Sequence, residues 1–420
     1  MLKNLVTLSA GEIVARAMHA LAFVLLARAL GKEALGQFGF AAAVTSYLLL
    51  IVTQGFDAVA IRTVSRSPGE LRSFIENVIG LRLVLAGVVC GAILVDALVS
   101  GGHPTLNLLL LVLCLSYVGG AIAPRWGFLA LERSRPIALA GVISQGFFLA
   151  GAVLVRAPSH VVWAAAAQGT GELAAALFLL RILSRSYGPL TPRLDRPFAR
   201  RLVRDSWPVT LSLLLGNMMY NFDVVMLGAM GRGDEIGVYI ACYRPISAFA
   251  PLLAALQASA LPALARSYPD FSIERRRVRR LTWSTAGLMI AAALALALYA
   301  REILELLFGH EYGDGARILQ VLACTLPLLG FRSLLRQVLV AFHLQHLDTT
   351  NIAAAAATNV LLDVALIPSL GALGCAISTV GSEIVFAALS AIAVRTRVDR
   401  MAPENAVHAD LAAEAPRQLK

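Results

Sequence analysis

The sequence predicts an all-α polytopic membrane protein with about twelve transmembrane helices in two six-helix lobes, related by a pseudo-two-fold axis along the membrane normal. Three observations predict it. Of 420 residues, 58% are hydrophobic and 15% charged, with a mean hydropathy of +0.74. That is more apolar surface than soluble domain cores of this length bury. Apolar stretches of roughly 20 residues recur, joined alternately by basic and near-neutral segments. The two halves of the chain also repeat one another.

The spans are expected at 4–28, 35–60, 78–98, 105–124, 136–156, 160–181, 207–230, 237–261, 281–300, 316–342, 348–368 and 372–394. Span one is too long, and too polar at its start, for a cleavable signal segment, so it is expected to stay. Arginines fill the joints after spans two, four, six, eight and twelve, from Arg62, Arg66 and Arg72 through Arg193 to Arg204 and Arg275 to Arg280. The intervening joints, such as "SGGHP" and "GRGDE", are nearly neutral. The positive-inside rule then places both termini in the cytoplasm.

The repeat gives the organisation. "ARALGKEALGQFGFAAAV" from Ala27 matches "LGAMGRGDEIGVYIACYR" from Leu227, pairing Gly36 with Gly237 and Phe38 with Tyr239 as a helix end, a glycine turn and a new helix. "AAQGTGELAAALFLL" from Ala166 matches "AISTVGSEIVFAALS" from Ala376, pairing Glu172 with Glu383. Six spans separate the copies, so the halves share one orientation. The expected domains are an N-lobe over 1–183, a basic linker over 184–206 with an amphipathic helix on the inner leaflet, a C-lobe over 207–398 and a disordered cytoplasmic tail over 399–420.

Charges inside the spans are the candidate functional groups. Arg16 lies ~18 Å into span one and Arg332 ~15 Å from the cytoplasmic end of span ten, too deep to reach the interface comfortably. A midplane arginine costs at least ~2.5 kcal/mol, so each should face water, a partner or the bundle interior. Glu12 and His19 share a helix face with Arg16, at i−4 and i+3. Arg16 and Arg332, with Arg336 one turn on, are therefore candidates for an anionic ligand, with simple pairing of Arg16 to Glu12 and snorkelling of Arg336 as the structural alternatives. Glu12, Asp57, Glu172, Asp223 and Glu383 are candidates for ion coupling or charge pairing. His19, Asn217, Tyr220, Asn221, Gln257 and Gln337 could meet a polar ligand or a gate. Asp363 is read as a helix-end residue.

The Gly-turn after span one, "LELLFGHEYGDGARILQVLA" over Leu304–Ala323 and "LGALGCAISTVGSE" over Leu370–Glu383 resemble the polysaccharide flippases. These are the Wzx-type lipid-linked oligosaccharide exporters of the MATE-like superfamily, and the likeness spans nearly the whole chain. It implies a V-shaped pair of lobes that alternates between inward-open and outward-open states. The implied cargo is an undecaprenyl-pyrophosphate-linked sugar unit, for O-antigen, capsule or exopolysaccharide, moved from the inner to the outer leaflet of the bacterial cytoplasmic membrane. Implied too are coupling to H+, Na+ or membrane potential, no cofactor, and a polysaccharide polymerase with its chain-length machinery as partners. Relatives that flip the peptidoglycan precursor carry cavity arginines on helices one and eight, and Arg16 and Arg244 stand in the matching spans.

Other classes fit less well. The net charge of +10 resides in the basic joints and no recognition fold accompanies it, so no nucleic-acid partner is expected. Cys90, Cys114, Cys242, Cys324 and Cys375 are dispersed, and His343 with His346 lacks metal spacing, so no disulfide or metal site is expected. No GxxxxGK[ST] pattern is present, which argues against direct ATP use. Trp126, Trp163, Trp207 and Trp283 fall at span ends as interfacial anchors. A MATE-like multidrug or other anionic-lipid exporter is the competing function. An acidic, aromatic-rich cavity would favour a drug antiporter, whereas this chain has 7% aromatics and several intramembrane arginines. A polymer ligase is expected to carry its catalytic residues on a large external loop, which the near-neutral joints do not provide.

Overall fold

The computed structural model describes residues 2–99, 103–266 and 272–398. The expected tail over 399–420 and Gly102 of the first external joint lie outside them. Among the described residues all regular structure is helical. The helices are α1 (Leu2–Thr53), α2 (Phe56–Arg66), α3 (Leu71–Val99), α4 (Pro104–Ile122), α5 (Arg125–Ala130), α6 (Ser134–Leu154), α7 (Val161–Tyr187) and α8 (Arg196–Ala229). They continue as α9 (Gly233–Ser247), α10 (Ala250–Arg266), α11 (Ser272–Leu298), α12 (Ala300–Phe308), α13 (Ala316–Ala323), α14 (Thr325–Ala341), α15 (Gln345–Leu370) and α16 (Ala372–Ala393).

Among the described residues eleven helical segments are long and apolar enough to cross a membrane, and the first covers 57 residues, Ala10–Arg66. A bilayer core of ~30 Å needs only about 20 residues, so that segment accommodates two crossings. The glycine turn expected between spans one and two is a single residue: two helical arms of α1 meet at Gly31, which has φ 73° and ψ 175°. Glycine has no Cβ to penalise that conformation, so one residue redirects the chain without exposing a run of backbone.

The basic linker also differs from expectation. Residues 184–187 complete α7 and 196–206 open α8, which leaves 188–195 as the non-helical connection. Pro197 sits in the first turn of α8, where its fixed φ suits a helix start and its missing N–H costs nothing.

By its internal contacts the chain forms two compact units. One comprises residues up to Asn217 with Val224–Ile240 and Leu307–Glu311; the other comprises Met218–Asp223, Ala241–Leu306 and the chain from Tyr312 onward. In the first, Phe56, Phe74, Ile75, Trp126, Phe128, Leu179 and Leu183 form a core at the α2, α3, α5 and α7 ends. Trp126 is 1% exposed and packs edge-on to Phe74 at 5.5 Å, so it is a core residue and not an interfacial anchor. Trp163, Trp207 and Trp283 do remain exposed. The segment Leu307–Glu311 joins this unit because Arg28 Nε donates to the Leu307 carbonyl at 2.8 Å and Phe23 meets Phe308 edge-on.

The second unit has its own core of Leu264, Val278, Val338, Leu339, Phe342, Val394 and Val398. Outward-facing apolar side chains such as Val88, Leu98, Leu298 and Leu361 are exposed, as a lipid-facing surface requires.

Candidate functional site

In the first unit α1 and α6 approach closely because small residues face each other, with Gly11 against Ala138 and Gly141 beside Ala15. That packing sets one face of α1 against a cavity of about 540 Å³ whose polar lining includes Glu12, Arg125, Ser144, Gln145 and Glu172. Arg16 Nη2 donates to Glu12 Oε1 at 2.7 Å, with the two side chains about half exposed. His19 Nδ1 and Gln145 Oε1 lie 3.0 Å apart, and the imidazole stacks on Phe148. Gln168 donates to Glu172 at 3.4 Å. Asn217 exchanges hydrogen bonds with Ser46 at 3.1 and 3.2 Å.

Asp57 has a partner that was not anticipated. Arg82, 2% exposed in α3, donates from Nη2 to Asp57 Oδ1 at 2.6 Å, with its guanidinium 5.8 Å from the Phe56 ring centre. Depth in sequence does not single Arg82 out as it does Arg16, since Arg82 stands four residues inside the expected span 78–98, where a guanidinium can snorkel. Arg125 and Gln145 also escaped the sequence reading, since neither carries a pattern that marks convergence.

The second unit contains a connected charge network. Arg332 in α14 donates from Nε to Glu383 Oε2 at 2.6 Å and from Nη2 to Glu383 Oε1 at 3.0 Å, a bidentate pair in which both residues are buried. Arg332 Nη2 also donates to the Tyr220 hydroxyl at 3.1 Å. One turn on, Arg336 forms a second fork with Asp348, with Nη2 to Oδ2 at 2.8 Å and Nε to Oδ1 at 2.9 Å. The ring of Phe386 lies within reach of both guanidiniums, at 4.4 Å from Arg332 and 5.7 Å from Arg336. Gln337 donates to Gln257 at 3.3 Å. Arg244 and Asn221 are half-buried and Asp223 is buried.

Asp363 is not at a helix end. It lies within α15, wholly buried, and among the described residues neither carboxyl oxygen makes a hydrogen bond of good geometry; Asn359, one turn earlier, is equally buried and likewise lacks one at both side-chain atoms. Asp223 and Ser378 border this pair. Among the described residues no three His, Cys, Asp or Glu side chains converge as metal ligands.

The sequence pattern of the family described as "Polysaccharide biosynthesis protein" matches residues 1–268, and that of "Lipid II flippase MurJ" matches residues 249–415. A relative from Escherichia coli (strain K12), named "Putative O-antigen transporter", is 23% identical over 316 residues, covering 74% of this chain and 75% of its own. Among solved structures, the inward closed conformation of lipid II flippase MurJ superimposes with a TM-score of 0.74 at 13% identity, covering 94% of this chain and 90% of that one. An inward-facing multidrug resistance MATE family transporter of the MOP superfamily gives a TM-score of 0.70 at 17% identity, covering 91% of this chain and 94% of that one. With its MATE-like fold of membrane-crossing helices, the chain belongs to the polysaccharide biosynthesis protein family of multi-pass membrane transporters.

Proposed function

We propose that the protein flips an undecaprenyl-pyrophosphate-linked oligosaccharide from the inner to the outer leaflet of the bacterial cytoplasmic membrane, by alternating access, with both termini cytoplasmic. The observation that carries this reading is Arg16, an arginine deep in an apolar helix whose ion-pair partner, Glu12, is itself half exposed. A pyrophosphate entering hydrocarbon loses its hydration, and guanidinium donors compensate with charge-assisted bonds. An exposed pair contributes little to stability, so its carboxylate can be exchanged for phosphate at small cost.

Arg16 and Arg244 are the head-group ligands in this reading. Arg332, whose Nε and Nη2 are engaged, acts as a positioning residue that holds the Tyr220 hydroxyl. The α1–α6 cavity, with Gln145, Ser144 and Glu172 as mixed donors and acceptors, suits sugar hydroxyls. The lipid tail stays in the bilayer throughout. On the far leaflet the product passes to the polymerase and chain-length machinery.

A carboxylate buried without donors costs several kcal/mol unless neutralised. Asp363, with Asn359 and Asp223 beside it, therefore takes up the coupling H+ or Na+. The test is transport in proteoliposomes of a fluorescent undecaprenyl-pyrophosphate oligosaccharide beside an organic-cation dye. Flipping of the first alone, with Asp363→Asn uncoupled from an imposed H+ or Na+ gradient, is the expected result. Dye transport without oligosaccharide flipping would instead establish a multidrug exporter.

A further inference from the structure

Two helix starts, one in each unit, carry the same pattern. "RRLVRDSW" over Arg200–Trp207 of α8 and "RRVRRLTW" over Arg276–Trp283 of α11 both read Arg-Arg, aliphatic, one residue, Arg, one residue, hydroxyl, Trp. In each the first Arg, the Arg one turn later and the Trp stand at i, i+4 and i+7, which aligns them along one helix face. The aliphatic residue of each pattern, Leu202 or Val278, is buried, whereas Trp207 and Trp283 are 60% and 62% exposed.

Among the described residues, protein carboxylates neutralise few of these arginines. Arg204 meets Asp205 at 3.3 Å, but Arg196, Arg200, Arg201, Arg276, Arg279 and Arg280 have no ion pair among the described residues. An open cleft of about 820 Å³ is lined by Arg196, Pro197, Arg200, Arg201 and Arg204. A second, of about 680 Å³, is lined by Arg275, Arg276, Arg279, Arg280 and Trp283. Like charges one turn apart repel, so each stripe calls for an anionic counterpart.

The helix geometry fixes the level of that counterpart. Each stripe ends on the last Lys or Arg of its helix, Arg204 in α8 and Arg280 in α11, and the exposed Trp is ~4.5 Å deeper than that Arg. Indole prefers the headgroup–acyl boundary, which sets the guanidiniums at phosphate height. We propose that each Arg-Arg-Trp stripe is a binding site for the phosphate of an anionic phospholipid in the adjoining leaflet, with the arginines bonding the phosphodiester and the indole lying against the glycerol and upper acyl chain. The sites anchor α8 and α11 to anionic lipid, separately from the cargo arginines deeper in the spans.

The test uses full-length Trp163→Phe protein in lipid nanodiscs of phosphatidylcholine doped with brominated phosphatidylglycerol or, at equal mole fraction, brominated phosphatidylcholine. Bromine quenches the exposed indoles, and removal of each signal by Trp207→Phe or Trp283→Phe assigns it. The sites predict at least about fivefold enrichment of phosphatidylglycerol at both indoles, judged from quenching. Arg200→Gln/Arg201→Gln/Arg204→Gln should return Trp207 to the phosphatidylcholine level, and Arg276→Gln/Arg279→Gln/Arg280→Gln should do so for Trp283. Equal quenching by the two lipids in the parent protein, a comparison that needs no arginine variant, would overturn the proposal. Abolition of the excess by soluble inorganic pyrophosphate would also overturn it, by identifying a phosphate-group site not tied to lipid.

Discussion

Gly36 and Gly237 occupy equivalent places in one reciprocal crossing: a Cβ on Gly36 would overlap the carbonyl oxygen of Gly233, and a Cβ on Gly237 would overlap that of Lys32. The repeat offset that pairs Gly36 with Gly237 also pairs Lys32 with Gly233, so the two contacts are copies of each other. The second arm of α1 and the start of α9 therefore meet with backbone against backbone. Gly36→Ala and Gly237→Ala should each destabilise the protein by about 1–3 kcal/mol, because neither helix can retreat from a carbonyl without losing the crossing. Thermal unfolding in detergent would measure this, with Gly87→Ala, whose Cβ meets nothing within 4 Å, as the control.

The Arg332–Glu383 fork predicts an asymmetric response to truncation. Glu383→Ala strands a buried guanidinium and should cost about 3–5 kcal/mol, whereas Arg332→Met/Glu383→Leu should cost less than that single change. Denaturant unfolding of both variants would decide it. A double mutant less stable than Glu383→Ala would show that the pair is held by more than mutual neutralisation.

Glu76 predicts a strap. This buried carboxylate in α3 accepts from Arg72 Nε at 3.2 Å and from the Thr191 backbone N–H at 3.3 Å, and lies 3.5 Å from Arg193 Nε. The Arg193 N–H donates to the Glu76 carbonyl at 3.0 Å, and a Cβ on Gly80 would overlap the Arg193 carbonyl oxygen. The connection 188–195 is thereby fastened along α3. Glu76→Ala and Gly80→Val should release it, seen as several-fold faster tryptic cleavage at Arg193. Unchanged cleavage in both would contradict the strap.

Much of this fold was legible because the membrane imposes strong rules. Hydropathy located the crossings, and the spacing of Gly36 and Gly237 revealed the repeat before any contact was visible. The glycine turn after span one was legible and falls at Gly31; its length of one residue was not, because a glycine between apolar stretches reads alike whether it opens a loop or only redirects the chain. Arg332 and Glu383 each announced themselves as charges too deep to leave bare. Their pairing did not, since 51 residues separate them and side-chain partners across helices leave no local pattern. Arg82 was not legible by depth, because it stands near the end of the expected span 78–98, where a charge can snorkel. Trp126 was misplaced because an aromatic residue at a span end serves equally as an anchor or, when a short helix such as α5 carries it inward against α3, as core. Asp363 was assigned to a terminus that α15 in fact extends beyond to Leu370.

Arg16 separates function from stability most cleanly. Its pair with Glu12 is half exposed and spaced i, i+4, so losing it should cost no more than about 0.5 kcal/mol of folding. The most direct measurement is flipping of a fluorescent undecaprenyl-pyrophosphate oligosaccharide, in proteoliposomes of defined orientation, by wild type, Arg16→Lys and Arg16→Ala. Folding should be checked in parallel by thermal unfolding. The proposed head-group site predicts unchanged unfolding temperatures, a rate reduced at least about tenfold in Arg16→Ala, and an intermediate rate in Arg16→Lys, which keeps the charge but loses the bidentate fork. Wild-type flipping by Arg16→Ala would contradict it and leave Arg16 as the structural partner of Glu12.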